Sequence, residues 1–205
     1  REAVLAVGKV GAHTQQAIPS LIAVLGDRSE AVKTQAIWAL SRAGAKAVPP
    51  LIALLGDEPM RGTAAMVLGQ IGPPARGAIP ELIKLLSQPD VSPAAQHEIV
   101  IALSRFGAAA GEAVPELLKI LADEQHPLRA DAVWAIANIG DKNAIPQLIR
   151  AFPADENSTS EMATVLPLAV LTLNPENELF FKLAFNRGVA LLQHESNAVK
   201  QATAT

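Results

Sequence analysis

Few side chains in this sequence could carry out chemistry. The 205 residues include four histidines, no cysteine and no tyrosine, which excludes thiol chemistry, disulfides and thiolate zinc sites. Imidazole and carboxylate groups are common metal ligands, and they are adjacent at His97-Glu98 and at His194-Glu195. His13 and His126 stand in predicted loops, where we expect them to be solvated. A metal site would need several ligand pairs to converge, so the arrangement of the chain decides whether one can form.

A series of acidic residues recurs at a regular place in the sequence: Asp27, Asp57, Asp90, Asp123 and Asp155. The series could be read as a ladder of calcium or magnesium sites. Each position supplies one carboxylate, however, and stacked units lie about one helix diameter (~10 Å) apart, whereas calcium takes several oxygen ligands at once. The series instead predicts helix N-caps, paired with basic residues in the next turn. The candidate basic partners are Lys33, Arg61 and Arg129.

The strongest signal is an internal repeat. A motif of the form Ala-Ile/Val-Pro-x-Leu-Ile/Leu occurs five times, and its prolines are 30, 31, 35 and 31 residues apart. These are Pro19, Pro49, Pro80, Pro115 and Pro146. Proline is tolerated in the first turn of a helix, so each motif predicts the start of a helix, helix A. In three copies the proline lies eight residues after the preceding closing glycine, which predicts an additional turn.

A second motif alternates with the first and ends in glycine, at Gly11, Gly44, Gly72, Gly107 and Gly140. Glycine commonly ends a helix in the left-handed conformation, so each copy predicts a second helix, helix B. Asn174 takes the glycine's place in a sixth copy. The chain also contains 38 alanines, and alanine both favours helices and allows them to pack closely. A period near 33 residues with two helices per unit predicts an all-α solenoid.

Register within helix B separates buried from polar positions. Residues eight and four before the closing glycine are apolar, and small residues dominate three before it; we expect the former in the core and the latter at close helix contacts. Trp38 and Trp134 stand six before their glycines, in register with Leu5, Met66 and Ile101. Because every counterpart is apolar, we expect both tryptophans to pack in the core, although an exposed pair would suggest a ligand platform.

Polar residues recur nine and two positions before the glycine. The two positions are seven residues apart, nearly two helical turns, and therefore share one face. We call this set the helix-B stripe and take it as the candidate binding site, with a merely solvated face as the alternative. Besides Glu2, it comprises Lys9, Gln35, Arg42, Thr63, Gln70, Glu98, Arg105, Asp131 and Asn138. Its three acids balance its three bases, which suits a protein or peptide better than a phosphate backbone.

The repeat unit resembles HEAT repeats, and most of all the short bacterial subtype shared with phycobilisome lyases. The resemblance covers about residues 1–174 and implies a right-handed α-solenoid with helix A convex, helix B concave, and binding on the concave face. We expect a single solenoid over 1–205, with about five regular units in 1–174. Residues 175–193 predict an atypical terminal helix, and 194–205 a tail or the start of a further unit. Arg1 aligns with the middle of a B helix, so we expect a fragment of a longer chain.

The resemblance also offers a metal enzyme for comparison. Deoxyhypusine hydroxylase is a HEAT-like enzyme whose several His-Glu pairs bind iron, and His97-Glu98 stands at a comparable place. The aligned positions in other units, such as Thr34-Gln35 and Ala130-Asp131, are not ligand pairs, and His194-Glu195 aligns with a turn. One pair cannot build such a centre, so we predict no metal, no cofactor and no catalytic residues.

These observations predict a non-catalytic interaction module or scaffold that binds a protein or peptide segment on the concave helix-B face. Two alternatives remain open: a bilin lyase-like or lyase-accessory protein, which the resemblance alone suggests, and a structural spacer in a larger multidomain protein. A net charge of −3 and a computed pI of about 5.8 disfavour nucleic acid as a partner. No apolar run is long enough for a membrane span, no small-molecule ligand is evident, and the compartment stays open.

Overall fold

A computed structural model of the chain describes residues 17–151 and 161–176, and the regular elements in these ranges are all helices. Helices of the two predicted kinds alternate along the chain. The A helices are α1 (Ile18–Ala23), α3 (Val48–Leu54), α5 (Ile79–Leu86), α7 (Val114–Ala122) and α9 (Ile145–Arg150). The B helices are α2 (Glu30–Ala43), α4 (Arg61–Ile71), α6 (Pro93–Phe106), α8 (Arg129–Ile139) and α10 (Glu161–Leu173). The all-α fold predicted from the sequence is confirmed.

The A helices begin where the prolines predict. In α1, α3, α5 and α9 the proline occupies the first turn, where its missing N–H breaks no helical hydrogen bond. The predicted additional turn is present as 3₁₀ helix at Pro73–Ala78 and Gly107–Ala113. It therefore lies ahead of the A helix instead of extending it. The third long copy, after Gly11, lies outside the described residues.

The four closing glycines that the structure describes have the predicted positive φ angles, but only one of these four is in the left-handed helical region. Gly140 has φ 84° and ψ 17°, which is the αL conformation. Gly44, Gly72 and Gly107 have φ between 57° and 72° with ψ between −136° and −144°. That region mirrors the extended conformation and suits glycine alone among residues. It sends the chain directly into the 3₁₀ segments that follow these three glycines.

Asp27, Asp57, Asp90 and Asp123 are not the N-cap residues of the B helices that follow them, so the prediction is wrong for these four. Asp155 lies outside the described residues. Asp27 Oδ1 accepts a hydrogen bond from Ser29 N at 2.7 Å, and Ser29, not Asp27, is the N-cap residue of α2. Asp123 makes the same two-residue turn, accepting from Gln125 N at 3.1 Å. These are Asx turns, which shape the loop before the helix starts.

The basic residues of that turn also have other partners than predicted. Arg61 Nε donates to the Leu55 carbonyl at 3.0 Å, and Arg129 Nε donates to the Leu121 carbonyl at 3.1 Å. Both carbonyls lie at the end of an A helix, where backbone acceptors lack helical partners. The third, Lys33, pairs with Glu30 of its own helix. Arginine at this position therefore fastens helix B to the end of the preceding helix A.

Within the described residues the core is entirely apolar, because no polar or charged residue there is buried. Its large members include Leu40, Leu68, Leu103 and Ile136, all fully buried and all four residues before a closing glycine. This confirms the predicted core register of helix B. None of the helices in the described ranges has both the length and the apolar character needed to cross a membrane.

The chain divides into two compact units, residues 1–116 and 117–205. In the first unit α2 packs on α4 and α4 packs on α6. In the second, α8 packs on α10, which continues through the buried Pro167. Of the predicted terminal helix 175–193, the structure describes only residues 175 and 176, and the segment 194–205 lies outside the described residues. The single solenoid over 1–205 stays a prediction.

Candidate binding surface on the B helices

The predicted stripe residues of the first unit lie on the solvent side of three successive B helices. Arg42, Gln70 and Arg105 are exposed, whereas Gln35, Thr63 and Glu98 are half-buried. In the second unit Asp131 is half-buried and Asn138 is exposed on α8. Lys9 lies outside the described residues. The stripe therefore consists of an outer row, two residues before the glycine, and a more sheltered row seven residues earlier.

Both tryptophans lie at the surface, so the prediction that they pack in the core is wrong. The exposed fraction is 46% for Trp38 and 38% for Trp134. Met66 and Ile101, at the same register, are half-buried. Position six before the glycine is three residues from one polar row and four from the other, so all three rows share one helical face. The surface has an apolar middle row that sequence reasoning assigned to the core.

Trp38 and Arg42 interact across one turn of α2. The guanidinium carbon of Arg42 lies 4.9 Å from the centroid of the Trp38 ring, which is the geometry of a cation–π contact. A guanidinium has five N–H donors, so its contact with the ring leaves it able to donate hydrogen bonds to a ligand. The pair therefore presents an aromatic surface and a positively charged hydrogen-bond donor at one place.

Two contacts hold the outer row of the first unit together. Ser41 Oγ lies 2.9 Å from Gln70 Oε1, a hydrogen bond that joins α2 to α4. A Cβ on Gly69 would lie 2.7 Å from the Ala102 Cα and 3.5 Å from the Arg105 Cδ. The absence of a side chain at Gly69 thus lets α4 approach α6 closely and gives the Arg105 stem its place. This confirms the prediction that small residues three before the glycine allow close helix contacts.

The His97-Glu98 pair is not part of a metal centre among the described residues. His97 is exposed, and Glu98 lies with its Cγ 3.8 Å from where a Gly62 Cβ would stand. Across 17–151 and 161–176, no group of three or more His, Cys, Asp or Glu residues comes together in a way that could hold a metal ion. Glu98 therefore belongs to the sheltered row of the stripe.

A shallow pocket of about 290 Å³ lies in the second unit, on the side of the A helices. Arg129, Gln147 and Arg150 contribute its polar lining, and Leu118 and Leu121 its apolar floor. The Arg129 Nε is already committed to the Leu121 carbonyl. Arg129 therefore has a structural role, because it joins α8 to α7, and its place in the pocket lining follows from that contact.

A comparison with protein families agrees with the helix-pair architecture. The model of the HEAT-repeat family matches residues 1–60, 48–131 and 79–169. Among solved structures, a designed armadillo repeat protein in complex with the peptide (KR)4 is similar at 23% identity, with a TM-score of 0.47, over 92% of this chain and 90% of that chain. An engineered protein is similar at 20% identity, with a TM-score of 0.45, over 91% of this chain and 88% of that chain.

No curated protein matches the chain significantly. The family matches overlap and together run from residue 1 to residue 169, which includes the described helix pairs from α1 to the greater part of α10. An all-α solenoid of repeated helix pairs is the fold these matches and the helix order indicate. The chain belongs to the HEAT-repeat family.

Proposed function

We propose that this chain is a non-catalytic interaction module that binds a protein or peptide segment on its helix-B face. HEAT-repeat architecture supports a role as a protein-interaction scaffold in general. The finer assignment of the helix-B face rests on one observation above all: Trp38 is 46% exposed and carries the Arg42 guanidinium over its ring.

Trp38 and Arg42 favour a binding role because neither residue is part of the hydrophobic core. The described core consists of aliphatic side chains, alanines and Phe106, so the tryptophan and the arginine do not contribute to its packing. Tryptophan and arginine are also the residue types that contribute most to binding at protein interfaces. Met66 and Ile101 continue the apolar row on the next two helices, and Gln70 and Arg105 continue the polar one. An apolar strip beside a polar rim is typical of such interfaces.

Affinity capture from a lysate of the source organism tests this proposal with the double variant Arg42→Glu/Arg105→Glu. Reversing two exposed charges on the proposed face should remove the partner, because like charges across an interface repel and the arginine hydrogen bonds are lost. The matched control is Arg28→Glu/Arg76→Glu. Both control arginines are exposed and lie outside the B helices, so the net charge changes equally.

The proposal expects a partner that the wild-type chain and the control retain and that the double variant loses. Circular dichroism of all three chains checks that the helices are intact. A partner held equally by the three chains would place binding elsewhere, and the same empty capture from all three would favour the spacer alternative.

A further inference from the structure

We propose that the helix-B face of the first unit selects an acidic, extended segment whose carboxylates bind Arg42 and Arg105 about six residues apart, with an apolar side chain between them. This inference rests on the proposed function and names the chemistry of its partner. The observations that carry it are the charges of the outer row, the stacking of Arg42, and the order in which α2, α4 and α6 pack.

The outer row of this unit is one-sided in charge. It presents Arg42, Gln70 and Arg105 to solvent, two guanidiniums with a neutral amide between them. The acid of this stretch of the stripe, Glu98, is half-buried in the sheltered row. Within the part of the chain that the structure describes, neither arginine forms an ion pair. A carboxylate matches the planar fork of a guanidinium with two parallel hydrogen bonds, so the row complements an acidic ligand.

The arginines are also held in place before a ligand arrives. The Arg42 guanidinium carbon lies 4.9 Å from the centroid of the Trp38 ring, and the Cδ of Arg105 lies 3.5 Å from where a Gly69 Cβ would stand. Ordering a free arginine side chain opposes binding by its lost rotamer freedom. Side chains that are already supported lose less, which favours arginine over lysine at both places.

The packing order sets the spacing between the two carboxylates. Arg42 is on α2 and Arg105 is on α6, with α4 packed between the two helices. Packed helices lie about 8–10 Å apart, so the two guanidiniums are separated by roughly 16–20 Å. An extended chain rises about 3.3 Å per residue, and side chains an even number of residues apart point to the same side. Six residues satisfy both conditions.

The middle row supplies the apolar part of the proposal. Trp38, Met66 and Ile101 lie beside the outer row on the same three helices. An apolar side chain two or four residues after the first carboxylate points to the same side of the extended chain and would lie near α4, where Met66 is half-buried. A flexible thioether adapts to side chains of different shape. We therefore expect a preference for an apolar residue at one of these two positions and no strict identity there.

Selection from a display library of random nonapeptides tests the inference at low ionic strength. The full chain serves as bait, beside Arg42→Glu/Arg105→Glu and the control Arg28→Glu/Arg76→Glu. We expect the wild type and the control to enrich peptides with two acidic residues six apart at least tenfold over the starting library. The double variant should lose that enrichment, and Arg42→Lys/Arg105→Lys should retain only part of it.

Other outcomes overturn the inference and leave the proposed function separately testable. Enrichment of basic peptides, of acidic pairs without a preferred spacing, or of nothing that the wild type binds better than the double variant would each contradict it. Displacement of selected peptides by a short single-stranded DNA would point to nucleic acid instead. If the library fails while lysate capture still depends on Arg42 and Arg105, the face binds a partner and its stated chemistry is wrong.

Discussion

The B helices of the two units share one register and differ in what they present. In the first unit, Trp38 is followed one turn later by Arg42, which stacks on it. In the second, Trp134 is followed at the same spacing by the uncharged Asn138. Both tryptophans are exposed. The repeat therefore fixes where a side chain lies, and single substitutions decide whether that place is cationic or neutral.

The helix contacts beneath these surfaces differ in the same way. Three residues before the closing glycine, α4 has Gly69 and α8 has the buried Ala137. A Cβ at Gly69 would stand 2.7 Å from the backbone of α6, whereas α8 packs on α10 with a methyl group in place. The close packing of α4 on α6 in the first unit thus requires glycine at this position, whereas α8 in the second unit has alanine there.

The largest effect is expected from filling that position, with Gly69→Val. Valine would force α4 and α6 apart, because backbone at Ala102 cannot move as a flexible side chain would. We expect a loss of about 3 kcal/mol in the free energy of unfolding, at the upper end of typical overpacking costs. Urea denaturation followed by circular dichroism measures it.

The matched control is Gly77→Val, in the 3₁₀ segment Pro73–Ala78, where an added Cβ meets nothing within 4 Å. This surface change should stay within about 0.5 kcal/mol of the wild type. Equal losses for the two variants would mean that close packing at Gly69 does not limit stability.

The sequence allowed the helix pairs to be predicted because their signals are local. Proline tolerates the first turn of a helix, and glycine supplies the positive φ that ends one. Pro80 and Gly72 therefore mark helix boundaries without any knowledge of tertiary structure. Fully buried Leu68 could be assigned to the core from register alone, since the same position is apolar in every copy.

The exposure of the tryptophans was not predicted because a position that is apolar in every repeat can be either fully buried or partly exposed. It can fill the core, as Leu40 does, or lie half-covered beside a neighbouring helix, as Met66 does. Helical spacing held the answer: Trp38 is three residues after Gln35 and four before Arg42, both assigned to the polar face. Apolar character outweighed that geometry in the sequence interpretation.

The turns were missed for a different reason. Asp27 has the residue type of an N-cap, but Ser29 is the residue that precedes the helix, and an aspartate two residues earlier closes an Asx turn instead. Likewise, glycine at a helix end predicts a positive φ angle, whereas its ψ angle depends on the conformation of the segment that follows. The sequence could therefore not distinguish Gly140 from Gly107.

That difference between closing glycines predicts an intermediate effect. Asparagine tolerates the αL conformation better than other residues with a side chain, and Gly140 is in that conformation. Gly107, with φ 57° and ψ −139°, is not. We expect Gly140→Asn to cost about 0.5–1 kcal/mol and Gly107→Asn about 2 kcal/mol, within the range for strained backbone.

Thermal and urea unfolding of both asparagine variants, with the wild-type chain alongside, measure the difference. The comparison is informative because the substitution is identical and only the backbone conformation differs. If Gly107→Asn were no more destabilising than Gly140→Asn, the ψ angle at Gly107 would not constrain the residue type.

The smallest effect concerns the Trp38–Arg42 pair itself. A double-mutant cycle with Trp38→Leu and Arg42→Gln should give a coupling of about 0.5–1 kcal/mol, the usual value for a cation–π contact near the surface. Arg42→Gln keeps a polar end group on a shorter apolar stem and removes the charge, so the cycle reports the interaction of the cation with the ring. Trp38→Leu alone should cost well under the ~3–5 kcal/mol typical of truncating a buried tryptophan, because nearly half of its surface is exposed.

The second unit offers the converse test, since Asn138→Arg would place a guanidinium one turn after Trp134. If register alone determines the geometry, a cycle of Asn138→Arg with Trp134→Leu should reproduce a coupling of about 0.5 kcal/mol or more. A coupling present at Trp38 and absent at Trp134 would show that the neighbouring helix, and not the four-residue spacing, holds the arginine over its ring.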